Sequence, residues 1–180
     1  NTFYDNFYID LKNGQDTITI HNSKVPAHRN FTITFDVSKY SDEERKQLFI
    51  ARLGNNRSAN YASTYKRGTT FTTRTRDLGT YTLAKDTVAP QIRPKNFKDK
   101  QWLTNYSYLS LKITDDLSGI DTYNATLNGE WILLEYEPKT STITYNFDDL
   151  ILDKKQCDLK VVVTDNVGNS STFTSTFYRK

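Results

Sequence analysis

Two threonine-rich runs, Leu159–Thr164 and Ser171–Tyr178, are separated by Asp165-Asn166-Val167-Gly168-Asn169-Ser170, and this arrangement constrains the fold more than any other stretch of the chain. Thr, Val and Phe favour a pleated, half-buried surface, while Asp, Asn and Gly supply turn conformations and local side-chain acceptors. The segment is predicted to be the closing hairpin of a β-sandwich. Such a hairpin is scaffold, so it points towards presentation or binding rather than chemistry.

The rest of the chain follows the same grammar. Downstream of Asp86-Thr87-Val88-Ala89-Pro90, strands are predicted at Gln91–Phe97, Tyr108–Thr114, Ile120–Leu127, Glu130–Tyr136, Thr142–Asn146, Asp158–Thr164 and Ser171–Tyr178. Seven short strands with turn signals between them are the pattern of an Ig-like sandwich. Asn128-Gly129 is the sharpest of those turns, because this dipeptide accepts the positive φ angles of a type I′ hairpin. Further turns are expected at Asp115-Asp116-Leu117-Ser118-Gly119 and Glu137-Pro138-Lys139.

Upstream, Phe31, Ile33, Phe35 and Val37 alternate with Thr32, Thr34 and Asp36, which predicts a half-buried strand. Flanking strands are expected at Phe7–Leu11, Thr17–His21, Leu48–Leu53, Thr69–Arg74 and Gly79–Leu83, with a polar loop over Asn55–Arg67. Ser41-Asp42-Glu43-Glu44 has the form of a capping box, so Asp42–Gln47 is predicted as a short helical insertion. The expected architecture is therefore all-β. It comprises two tandem β-sandwich domains, residues 1–86 and an Ig-like 87–180, joined by a short linker that Pro90 stiffens.

Composition excludes several functions. A net charge of +3 spread along 180 residues, with 36% hydrophobic and 13% aromatic content, describes a folded chain without the concentrated basic face that a phosphate backbone requires. No nucleic acid partner is expected. Cys157 is the only cysteine, so neither an intrachain disulfide nor a cysteine-based metal cluster can form. No apolar run is long enough for a membrane span and no secretory signal opens the sequence. Because the chain starts at Asn1 and has no methionine, it is expected to be a piece excised from a longer protein.

Linker, turns and hairpin together resemble the non-catalytic C-terminal region of lysostaphin-type (M23 family) zinc metallopeptidases of Bacteroidetes-type bacteria. The resemblance is carried by Asp86–Pro90, Asp115–Ile120, Asn128-Gly129-Glu130-Trp131-Ile132-Leu133 and Val163–Ser170, and extends upstream to Thr72–Tyr81. It implies an accessory tail that positions an upstream catalytic domain of the same chain in the bacterial cell envelope, periplasmic or extracellular, or that binds peptidoglycan or a protein partner. The peptidase chemistry does not carry over. That family holds zinc through separated motifs including His-x-His, whereas the two histidines here, His21 and His28, are seven positions apart. Catalytic, cofactor and metal residues are all expected to be none, and the alternative role is a carbohydrate-binding module or adhesin segment of a surface protein.

Candidate sites have bland competitors. Asp115, Asp116, Asp121 and Asp165 offer oxygen ligands for calcium, yet Asp side chains in turns ordinarily accept backbone amide hydrogens, and the turn role is the expectation. No carboxylate pair is marked for glycoside hydrolysis, Ser118-Gly119 lacks the context of a nucleophile elbow, and Cys157 has no histidine nearby in sequence. Arg74 and Arg76 are expected on a solvated strand face. The sequons at Asn30, Asn56, Asn105, Asn124 and Asn169 carry no weight in a bacterial protein. Trp102 is expected to cap the core.

Trp131 depends on register. A two-residue loop at Asn128-Gly129 makes Leu127 oppose Glu130, Thr126 oppose Trp131, Ala125 oppose Ile132, Asn124 oppose Leu133 and Tyr123 oppose Leu134. Tyr123, Ala125, Leu127, Ile132, Leu134 and Tyr136 then share the apolar face. Trp131 and Leu133 fall on the polar one, as a candidate ligand or partner surface. A register shifted by a bulge would instead bury Trp131 in the core.

Overall fold

A computed structural model describes residues 2–3, 6, 8–149 and 155–180, apart from the side chain of Pro26, and the protein is all-β with a single short α-helix among them. Contacts divide the chain into two compact units, Asn1–Thr87 and Val88–Lys180.

The first unit has two sheets. One runs in the order β1 (Leu11–Asn13), β2 (Thr17–Ile20), β8 (Gly79–Lys85), β4 (Leu48–Leu53), β5 (Ala59–Tyr61). The other is β3 (Pro26–Asp36), β7 (Thr70–Asp77), β6 (Tyr65–Arg67). Alternation in β3 buries Ile33 and Phe35, which meet Phe71 of β7 and Ile50 and Tyr81 of the facing sheet. The Tyr81 hydroxyl donates to the carbonyl of Asp77 at 2.7 Å, and burial pushes its pKa up. Helix α1 (Asp42–Gln47) leads directly into β4. Its capping box is complete: Glu44 N–H donates to Ser41 Oγ at 3.3 Å, and Ser41 N–H returns a bond to Glu44 Oε2 at 2.9 Å. That backbone bond holds the Glu44 carboxyl below its usual range.

Two expectations fail here. Asn55–Arg67 is not all loop, since it contains β5 and β6; three-residue strands paired only along one side need the neighbouring strand, and polar residues suit such edges. Of the predicted strand Phe7–Leu11, Phe7 lies outside the described residues, and pairing begins only at Leu11, where β1 meets Ile20 of β2.

The second unit pairs β9 (Gln91–Pro94), β10 (Tyr108–Thr114), β14 (Thr142–Asn146) and β13 (Glu135–Glu137) in one sheet. The other sheet is β12 (Glu130–Ile132), β11 (Ile120–Leu127), β15 (Gln156–Asp165), β16 (Ser170–Tyr178). This is the strand allocation of an Ig-like sandwich with one extra edge strand beside the third. Leu109, Leu111 and Ile113 from one sheet interleave with Ala125, Leu127, Val161, Val163 and Phe177 from the other. Glu130–Tyr136 is not the continuous strand expected. It leaves the β11 ladder after Ile132 and joins β14 in the opposite sheet at Glu135, with Leu134 buried at the crossing.

Candidate functional site

The hairpin from β11 to β12 sets the geometry of the exposed surface. Asn128 and Gly129 both have positive φ, 53° and 87°, as a two-residue turn of the primed type demands. The Asn128 side chain also accepts the N–H of Asp158 at 2.9 Å, while Asn128 N–H donates to the Asp158 carbonyl at 2.9 Å. The turn is thus bonded to β15 by both its backbone and its side chain. Leu127 opposes Glu130, Thr126 opposes Trp131 and Ala125 opposes Ile132.

This register sends Ile132 into the core and leaves Trp131 65% exposed. Leu133, one residue beyond the last pair of β12, is 54% exposed. Trp131 begins a row across the sheet: it opposes Thr126, Thr126 opposes Lys160, and Lys160 opposes Thr174. Beside that row Thr126, Lys160, Thr174, Asp158, Thr176 and Asp99 line a shallow depression of about 480 Å³. Its carboxylates are fixed. Asp158 accepts from Thr176 Oγ1 at 2.8 Å, and Asp99 accepts from Thr176 N–H at 2.9 Å and Ser175 Oγ at 3.1 Å. The bond from the Thr176 amide, followed by that from Ser175, holds the Asp99 carboxyl below its ordinary range. Trp131 stands outside that depression, at the sheet edge next to Thr126, so the face offers an apolar plane at one end and hydroxyl, ammonium and carboxylate groups farther along it.

Trp102 does not cap the core. Leu103 takes that position and is fully buried, while Trp102 is 52% exposed and lies over Tyr178, with ring centroids 5.3 Å apart. Leu103 N–H donates to the Tyr178 carbonyl at 2.7 Å and Tyr178 N–H to the Gln101 carbonyl at 2.9 Å. Trp102, Thr104, Asn105, Tyr106 and Lys180 surround a second depression of about 390 Å³. One apolar side chain fills the core at this point, and the residue list does not say which of the neighbours Trp102 and Leu103 will do so.

The aspartates divide. Asp116 and Asp121 are exposed, whereas Asp115 and Asp165 each bring a carboxylate oxygen within 4.8 Å of the other. Asp115 accepts the N–H groups of Leu117 at 3.1 Å and Gly119 at 2.7 Å. Asp165, 1% exposed, accepts N–H from Val167 at 2.9 Å and Asn169 at 2.8 Å, and the Asn169 side chain at 2.7 Å. Both carboxylates serve the turn amides around them. Cys157 is fully buried, and burial raises its thiol pKa, the reverse of what activates a nucleophile. Arg74 and Arg76 are exposed on β7, Arg76 donating to Asn30 Oδ1 at 2.9 Å. Among the described residues no helix is long and apolar enough to cross a membrane.

Among solved structures, the fibronectin(III)-like modules of Clostridium thermocellum CbhA are 11% identical, over 84% of this chain and 86% of theirs, with a TM-score of 0.40. The apo expansin of Clavibacter michiganensis is 15% identical, over 80% and 75%, with a TM-score of 0.36. The tandem Ig repeats of Dlar are 7% identical, over 91% and 87%, with a TM-score of 0.31. No curated protein matches the chain. None of these findings names an M23 peptidase. Residues 1–86, which make up nearly all of the first unit, match the family of the Zu5-like domain, so that unit is similar to a Zu5-like domain.

Proposed function

We propose that this chain is a non-catalytic binding and positioning module of a bacterial cell-surface protein, and that the Trp131 face of its second unit is the binding surface. The observation that carries the proposal is the exposure of Trp131 at the edge of a row of Thr126, Lys160 and Thr174, on a sheet whose other face is core. With Leu133 54% exposed close by in sequence, the indole, 65% open to water, offers a partner an apolar contact, and a sheet face preorganises it. Aromatic stacking with hydroxyl and ammonium groups alongside suits a sugar ring, so the proposed partner is an envelope glycan, peptidoglycan first. Coupling such a binder to a neighbouring domain raises that domain's local concentration at the wall. The finer placement, as the tail of an M23-type enzyme in the cell envelope, rests on the motifs at Asp86–Pro90, Asp115–Ile120 and Asn128–Leu133.

Sedimentation with purified peptidoglycan tests the binding role. The wild-type chain is expected to co-sediment and Trp131→Ala to lose at least about tenfold in affinity, as removal of a central aromatic anchor does. A wild-type chain that stays in solution, or a Trp131→Ala variant that binds as well, overturns it.

A further inference from the structure

We infer that the second unit carries another ligand site, at Trp102, Asn105 and Lys180, which takes a pyranose ring bearing a carboxylate. It uses none of the residues of the Trp131 face.

The site is built rather than merely exposed. Segment Gln101–Tyr106 is fastened to the end of β16: Leu103 is anchored in the core, and Arg179 donates through Nη1 to the carbonyls of Leu103 and Tyr106 at 2.7 Å each. The Arg179 guanidinium also lies 4.1 Å from the centre of the Phe147 ring, and Gln101 Nε2 donates to the Tyr106 hydroxyl at 2.9 Å. Tyr178 supports the indole of Trp102 at 5.3 Å with a 33° tilt between the rings. The indole is therefore held in place before any ligand arrives, which lowers the ordering cost of binding.

Charge selects the ligand class. Lys180 Nζ lies over the Trp102 ring, 5.9 Å from its centre, and among the described residues this loose cation–π contact is the one it makes through its ammonium. No acidic residue lines the depression. Arg179 is not among the residues lining the depression, so Lys180 is the one cation on its described lining, which matches one carboxylate better than a phosphate dianion. A purely apolar partner would leave the ammonium and the Asn105 amide unpaired on binding. A neutral sugar would leave the exposed ammonium in water and gain nothing from its charge. A carboxylated pyranose draws the exposed Lys180 ammonium off the ring to its carboxylate, lays its C–H face on the indole in the ammonium's place, and meets Thr104 and Asn105 with its hydroxyls. The depression, about 390 Å³, lies at the lower end of the range for small-ligand sites.

Titrating the full chain with tetragalacturonate, N-acetylmuramic acid and neutral chitotetraose, followed through the two indole N–H resonances, tests the inference. The Trp102 resonance is expected to shift with at least one of the two acidic sugars. That sugar should bind at least about tenfold more tightly than chitotetraose, and the preference should fall as salt rises. Which acidic sugar binds identifies the source, uronate polymer or muramyl residue. Lys180→Gln, an exposed substitution that leaves the fold intact, should abolish the preference, and Trp102→Phe should weaken all binding. Trp131→Ala should change neither, which separates this site from the proposed peptidoglycan face. No Trp102 shift, equal affinity for chitotetraose, or an unaltered preference in Lys180→Gln overturns the inference.

Discussion

At the scale of single residues, the side chains that look most like chemistry spend their polar atoms on backbone. Asp165 illustrates this. It is buried, and its oxygens collect two amide N–H groups and one side-chain N–H from the hairpin between β15 and β16. Removing the carboxylate leaves the N–H groups of Val167 and Asn169 without that acceptor in a site where the carboxylate itself is shut off from water. Asp165→Ala is therefore expected to lower stability by about 1–3 kcal/mol, the cost of unsatisfied buried donors. Urea denaturation followed by far-ultraviolet circular dichroism measures it. A loss under about 0.5 kcal/mol, the size of an ordinary surface substitution, would mean that the hairpin does not depend on this acceptor.

At the scale of elements, turns decide which way side chains face, and turns are what the residues declare most openly. Asn128-Gly129 specifies a two-residue loop, the loop fixes register, and the register places Trp131 outward and Ile132 inward. That chain of inference needs only local sequence. The same reasoning misses the end of β12, because after Ile132 the chain leaves β11 and Glu135–Glu137 pair with β14 in the opposite sheet, so the segment divides between two sheets where its composition reads as one run. Trp102 is missed for a related reason: Leu103 and Trp102 are both apolar, and long-range bonds to Tyr178 and Arg179 choose between them. The strands β5 and β6 are missed because their stretch is polar, although their partners are local: β6 turns into β7 through Gly68-Thr69, with Gly68 at φ 56°, and that glycine is the signal that could have found the hairpin. The turn also yields a prediction. A Cβ added at Gly129 meets no heavy atom within 4 Å, so Gly129→Ala costs only backbone strain at φ +87°. A loss of about 1 kcal/mol in thermal or chemical unfolding is expected, with binding at Trp131 retained once the protein is folded. A loss of several kcal/mol would show that the turn has been displaced rather than strained.

At the scale of the whole molecule, each unit has a hydrophobic core assembled from its own strands. Among the described residues the second unit's core runs from Phe97 to Phe177 and includes seventeen buried residues, enough for an Ig-sized sandwich to fold without help. Cys157 belongs to that core, is the only thiol in the chain, and sits on β15 opposite Phe177 of β16. It is thus a reporter of the second unit alone. Residues 88–180, expressed separately, are expected to unfold in one cooperative transition, with Cys157 unreactive towards a thiol-disulfide reagent until denaturant enters that transition. The raised thiol pKa works in the same direction as burial, since it lowers the thiolate fraction at a given pH. Two measurements decide the matter: labelling rate against urea concentration, and circular dichroism over the same range. Coincident midpoints are the signature of a self-sufficient sandwich. Rapid labelling in native buffer would mean that the β15–β16 pairing requires the first unit, and the two-module architecture would then describe contacts but not folding.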